Sequence, residues 1–427
     1  MFDYLVSKVH ESVVQITDHR KTTPVYPLSD VLMSSFAMFS LKDPSVLSFV
    51  ENYPSRAENL EAVYHIKNIP TDNGMRGILD PVNPDNLLTV FQSLMSDKVV
   101  SSAVESHDCF PTLGGYTGIA VDGTGYFCSN AVSCPHCMVK RRKSGEEYYH
   151  QLAGACIVHP DKKTVFPVFG EPITKQDGAT KNDCEYNAFK RLVPKIEQIL
   201  PEQKKLILLD GLFATGPAIR TMLAHKMGFI TVIKEGYVLV QVTELADKNQ
   251  LAERTWYKDK SERIKCTAKW SNGLILNGAN SDITVNFLQY EEIDTKTQRT
   301  IYAGKWITSL AIKPSIVKEF VKTARTRWKI ENETFNVLKN QGYNLEHNYG
   351  HGKKYLSSIF AIMMLLAFLV DQLTQTLDKT FQEALAEAKT MRDFRQKVRV
   401  LFDLIPCVSM NLIYKIIARD IKIRPSP

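Results

Sequence analysis

Apolar and polar positions divide this chain into stretches of different period. Up to about residue 110 the apolar residues recur at helical spacing in short runs, as at residues 34–41, 44–50 and 84–94, without the alternation a strand shows. From Tyr116 the period changes to two: TGIAVDGTGYFCS, EYYHQLAGACIVHP and TVFPVFGEPI predict three consecutive strands. Residues 182–200 return to a helical period, with Asn182 as N-cap, Glu185 three residues on as a variant capping box, and Pro194 kinking or dividing the far end. KKLILLD then reads as a buried strand ending at Asp210, PAIRTMLAHKMG as a helix closed by Gly228, and FITVIKEG as another strand.

Three strands, a helix, a strand, a helix and a strand are the order of an RNase-H-like α/β core. Between residues 237 and 313 the runs RIKCTAKW, GLILNG, DITVNFLQY and TQRTIYAGKWITSL alternate again and end in Gly, Asn or Asp, which predicts an antiparallel β insertion. After Pro314 the pattern is helical. Trp328, Ile330, Phe335 and Leu338 mark one amphipathic helix over residues 325–340 that Gly342 stops, and the polar loop GYNLEHNYGHG and the apolar helix 356–370 follow. The expected organisation is a helical region at 1–110, a core at 111–236 and 314–375 split by the β insertion at 237–313, and a helical region at 376–427. In that last region Arg392, Arg395 and Arg399 share one helical face, equally readable as a solvated face or a DNA-backbone contact.

Composition narrows the class. With 44% hydrophobic and 23% charged residues the chain is that of an ordinary globular protein, and 427 residues imply two or three domains. A net charge of +7 favours a polyanionic partner without requiring one. The N-terminal MFDYLVSKVHESVVQ has no basic stretch followed by an apolar one, and residues 356–370 fall short of the ~20 residues a membrane span needs, so a cytoplasmic protein without a membrane partner is expected. Eight cysteines in that setting point to thiols or metal rather than disulfides.

Three carboxylates stand where such a core would bring them together: Asp122 within the first strand run, Asp210 at a strand end, and Glu331 on the later helix, four residues after Arg327 and so on its face. Alone, an Arg/Glu pair at that spacing is a solvated pair worth about 0.3–0.5 kcal/mol. Together the three acids offer the hard oxygen ligands that magnesium takes. Cys134 and Cys137 have the spacing of half a zinc site, open between zinc, a redox pair and no site, with Cys128, His136 and His150 as candidates to complete it. His347 and His351 have a helical metal-pair spacing, but Gly350 and Gly352 argue against a helix there. Lys140, Arg141, Arg142 and Lys143 form a basic tip suited to phosphate, or a solvated loop.

The wording RWKIE, then FNVLK and GYNLEHNYGHG, resembles the C-terminal signature of bacterial insertion-sequence transposases of the DDE class. The resemblance implies an RNase-H-like catalytic core with a β-rich insertion before the catalytic glutamate, and Asp122, Asp210 and Glu331 as the acids. It implies two Mg2+ ions, for which Mn2+ can substitute, double-stranded DNA as partner in the form of terminal inverted repeats and target, and a homodimer on the DNA. Arg327 fits the family's arginine; its tyrosine position is Ala324 here, and its lysine position, seven residues after the acid, is Leu338, with Lys339 one step later. HIKNIPTDNGMRGILD is similar to an N-terminal segment of the same group, which makes Arg76 a DNA-contact candidate beside Arg327, Lys339, Asn348, His351, Arg141 and Arg142. Two rivals stay open: an RNase-H-like nuclease without strand transfer, and a catalytically silent DNA-binding descendant. The second would have lost an acid, and all three are present.

Overall fold

In the computed structural model, residues 1–21, 24–106, 112–143, 145–175, 183–419 and 421 are described. The first part is helical: α1 (Phe2–Val14), α2 (Leu28–Leu41), α3 (Val46–Glu51), α4 (Tyr53–Tyr64), α5 (Asp72–Leu79), α6 (Leu88–Met95) and α7 (Lys98–Ser106). Helix α2, LSDVLMSSFAMFSL, is apolar nearly all round and correspondingly buried.

Four strands follow: β1 (Thr117–Ser129), β2 (Met138–Arg142), β3 (Gly145–Ile157) and β4 (Phe166–Ile173). Then come α8 (Glu185–Ile199), β5 (Lys205–Leu209), α9 (Gly216–Ala224) and β6 (Gly228–Val232). Strand β3 runs antiparallel to β1; its other edge carries β2 on its first half and β4 on its second. Strands β5 and β6 add in parallel on the far side of β1. This is the RNase-H-like arrangement, with the β2 hairpin as an excursion from it.

Two local expectations change here. Helix α8 runs through Pro194 without division and begins at Glu185 after Cys184, which makes no side-chain cap; Asn182, the expected cap, lies outside the described residues. Gly228 does not close α9 but opens β6; the turn is made by Lys226, whose φ is 54°.

The stretch expected to be purely β starts with a helix, α10 (Tyr237–Asp247), followed by β7 (Ala252–Tyr257), β8 (Ile264–Asn277), β9 (Asn280–Asp294) and β10 (Arg299–Thr308). Trp306–Thr308 of β10 pair antiparallel with β6, so the insertion extends the core sheet rather than forming one of its own. The chain continues through α11 (Val317–Arg325), a changed-pitch segment described below, α12 (Asn336–Asn340), α13 (Leu356–Leu377), α14 (Lys379–Ala388), α15 (Met391–Leu404) and α16 (Met410–Ile417).

Helix α13 is longer than the pattern 356–370 suggested. By length and composition it could cross a membrane, but 83% of its most apolar window is buried within the protein, packed on α2 and β4. Its N-terminus is capped from far away: the Asp80 carboxylate accepts the backbone N–H groups of Lys353, Lys354 and Leu356. The C-terminal helices fold back on the N-terminal ones. Arg56 on α4, 1% exposed, pairs with Asp43 at 2.7 Å and Asp403 of α15 at 2.5 Å, and the Asn59 amide donates to the carbonyls of Phe402 and Ile405. A buried guanidinium needs such partners, because an unpaired charge there would cost several kcal/mol, on the order of 3–5.

Candidate active site

The parallel pairing of β1 with β5 sets two acids level. Ala120 faces Leu208 in the last pair of that ladder, and Asp122 and Asp210 each stand two residues beyond it. Asp210 leaves the strand as the cap of a short turn, its Oδ1 accepting the Leu212 N–H at 3.0 Å. The Asp122 carboxylate accepts its neighbour's N–H, from Gly123, at 2.8 Å.

The third acid arrives on a helix of varying pitch. After α11 the chain makes a tight 3₁₀ turn at Thr326–Trp328, then a wide π turn at Ile330–Phe335, then α12. A regular helix over 325–340 was expected. The change of pitch buries Ile330, Phe335 and Leu338 but leaves Trp328 at 44% exposure. It keeps Arg327 and Glu331 adjacent: one guanidinium donates Nη1 to Asp122 Oδ2 at 2.8 Å and pairs through Nη2 with Glu331 Oε1 at 2.7 Å. Glu333 takes no part in this bridge. A π turn takes up about one extra residue, so Lys339, eight residues after Glu331, completes about two turns and returns to the acid's face.

Glycine makes the close approach of this helix to the sheet possible. Gly154 is the direct partner of Asp122 across the β1–β3 ladder, and a Cβ there would stand 3.0 Å from the Phe335 ring. On the next residue of β1 the same device serves the other face: a Cβ on Gly123 would stand 2.4 Å from Glu185 Oε1. Glu185, read from sequence only as part of a capping box, is thus turned toward the sheet, where it senses the charge of Asp210. No sequence signal beyond its position at the start of α8 marks it.

The electrostatics are those of crowded carboxylates. Burial, then the hydrogen-bonded Glu331 carboxyl beside it, push Asp122 up to about 6, against the pull of Arg327 and the Gly123 N–H. Burial and the Asp210 charge likewise raise Glu185. Among the ion pairs of the described residues, Arg327 is the sole cation on Asp122 or Glu331. Asp122 and Glu331 share one guanidinium, and Glu185 lies within reach of the Asp210 charge; carboxylate oxygens of this kind are ligands for hard cations.

The residues expected to touch DNA are distributed differently. Lys339 pairs with Glu346 at 2.8 Å. Arg76, partly exposed, donates to the Tyr349 carbonyl at 2.9 Å and to Asp72 at 2.6 Å, so its segment buttresses the 341–355 loop. Asn348 is exposed on that loop. Arg141 and Arg142 are exposed on the β2–β3 hairpin, paired across it with Glu146 and Glu147. Of the α15 arginines, Arg395 reaches the Gln341 carbonyl and Arg399 that of Lys42.

His351, expected as a DNA contact, turns its ring toward the cysteine turn, with Nε2 3.2 Å from Cys137 Sγ. His150 joins from β3, with Nε2 3.5 Å from Cys134 Sγ and 3.4 Å from Cys137 Sγ. The partners expected for the cysteine pair were Cys128, His136 and His150, but Cys128 is exposed and His136 stacks on Tyr355. The fourth member was missed because its segment cannot be a helix, and ligation needs none.

A family model of the transposase DDE domain matches residues 114–369, well over half of the chain. Among curated proteins none matches it.

Proposed function

Since the chain belongs to the family of transposase DDE domains, we propose that it binds the ends of an insertion sequence, cleaves DNA phosphodiester bonds there, and joins the freed 3′-hydroxyl to target DNA. The observation that carries this reading is the Asp122–Arg327–Glu331 bridge beside the strand end bearing Asp210. Asp122, Asp210 and Glu331 would hold two magnesium ions, and their fit to such ions rests on the oxygen-only donor set and on the burial and the neighbouring Glu331 carboxyl that lift Asp122.

Bound there, the ions would lower the pKa of an attacking water or 3′-hydroxyl and neutralise charge developing on the phosphate. The protein's part is positional. Arg327 holds two carboxylates from distant parts of the chain against one group, and Gly154 and Gly123 let the helices of Glu331 and Glu185 approach the strand of Asp122. Asp122 must lose its proton before it can ligate, so cation binding strengthens as pH rises through about 6. The exposed hairpin tip at Lys140–Lys143 is suited to phosphate contacts, and the family's action on paired DNA ends implies a homodimer on DNA.

The test is incubation with element ends, supercoiled target and Mg2+, comparing wild type with Asp210→Ala, Glu331→Gln and Glu333→Gln. Joined products from wild type and Glu333→Gln, with loss in the other two, support the reading. Cleavage without joining makes the protein a nuclease, and retained cleavage in Glu331→Gln removes that residue from the site.

A further inference from the structure

We propose that Cys134, Cys137, His150 and His351 hold one structural zinc ion, which clasps the β2–β3 hairpin to the loop that follows the Glu331 helix. The four come from three places. A tight turn after β1, with Cys137 N–H donating to the Cys134 carbonyl at 3.1 Å, brings two thiols together. Strand β3 carries His150 beneath them, and the 341–355 loop delivers His351, 214 residues from Cys137.

Their ligand atoms all lie within 4.8 Å of one another. Zinc–sulfur bonds of about 2.3 Å and zinc–nitrogen bonds of about 2.0–2.1 Å in a tetrahedron place S and N about 3.6 Å apart. The S···N separations here are 3.2, 3.4 and 3.5 Å, close to that edge and short of it by a few tenths.

Two metal-free readings fit less well. In a network of thiol–imidazole hydrogen bonds, each ring offers Nε2 to the sulfurs, while Nδ1 of both His150 and His351 is buried without a partner. Whichever tautomer is chosen, a buried polar nitrogen is left unmet on each ring, and bonds to sulfur are too weak to offset that. A Cys134–Cys137 disulfide would use both sulfurs and leave the two rings with nothing to face. A metal ion supplies binding free energy that outweighs the two orphaned nitrogens.

Thiolate and imidazole donors suit zinc, whereas the all-oxygen acids of the active site suit magnesium, so the two sites would sort two metals. Four protein ligands leave no open position, which marks the site as structural. Aromatic rings enclose it: Phe127 lies 4.3 Å from His351 between centroids, and Tyr126 stacks on His150 at 5.8 Å. Strand β1, which carries Asp122, leads directly into the cysteine turn, and the His351 loop leads directly out of the Glu331 helix. The clasp therefore fixes the two sides of the active site at a second point.

The full chain, purified without chelator or metal-affinity tag, should contain about one zinc per molecule by elemental analysis. After exchange to Co2+ it should show thiolate charge transfer in the near ultraviolet and the intense visible bands of a tetrahedral ion. His351→Gln should keep the charge transfer, alter the visible bands and loosen zinc at least tenfold. Asp122→Ala should retain full zinc, which separates this site from the acids. A folded wild type without zinc and without a tetrahedral cobalt spectrum overturns the proposal, whether or not Cys137→Ser folds. A cobalt spectrum unchanged by His351→Gln overturns the clasp.

Discussion

Replacing Asp122 by Asn should abolish cleavage and yet stabilise the metal-free protein. In the native chain the carboxyl titrates at about 6 against an ordinary 3.8, because burial and Glu331 oppose its charge more than Arg327 supports it. A raised acid binds its proton more tightly folded than unfolded. Its contribution to stability is therefore full below about pH 4, declines as pH rises to about 6, and stays lost above that. About two pKa units at 1.36 kcal/mol each put the loss near 3 kcal/mol, with the attraction of Arg327 already included in the shift. Asn keeps an acceptor for Arg327, offers a donor to Glu331, and never ionises. Urea unfolding in EDTA should find Asp122→Asn about 1–3 kcal/mol more stable than wild type near pH 7.5 and equal to it near pH 4. Added Mg2+ should close the gap, because it binds only the wild type with useful affinity. A variant less stable than wild type at pH 7.5, or a difference independent of pH, would refute the argument that Asp122 is held against its charge.

Three further perturbations test other parts of the site. Glu185→Gln should leave the fold intact and raise the Mg2+ concentration needed for cleavage on the order of tenfold, as loss of a nearby charge predicts; an unchanged Mg2+ titration would return Glu185 to a packing role. Gly154→Val drives a side chain into Phe335 and should destabilise by about 1–3 kcal/mol while lowering cleavage further than that loss of stability alone explains, which cleavage rates measured well below the unfolding midpoint would reveal. Asp80→Ala removes the carboxylate that caps α13 and should cost about 2 kcal/mol, seen as faster amide exchange at Lys353, Lys354 and Leu356; exchange equal to wild type would mean water caps the helix as well.

The core was legible because strands advertise themselves by alternation, and because Asp122, Asp210 and Glu331 stand in the order in which the core presents them. What stayed hidden depends on contacts between distant segments. That β10 pairs with β6, making the insertion part of one sheet, is not written in either strand. Glu185 acquires its place only because Gly123 leaves room opposite it. Arg76 belongs to a segment whose wording suggests a DNA contact, and nothing in that wording announces that two of its donors go to Tyr349 and Asp72. As a metal ligand His351 was discounted because two glycines argue against a helix there, although its ring needed only to reach Cys137. A change of helical pitch leaves no periodic trace over six residues, so the exposure of Trp328 could not be foreseen.

The wide turn at Ile330–Phe335 also bears on how such a site tolerates change in chain length. One residue added to a uniform α-helix swings everything downstream by about 100°, enough to turn a lysine away from the face that carries the acid. Here the surplus is stored in a single loosened turn, and Glu331 and Lys339 keep a common bearing although they are eight positions apart. What the helix holds constant is an angle about its axis, so an insertion or deletion within this turn can be accommodated where a count of intervening residues would suggest a broken motif.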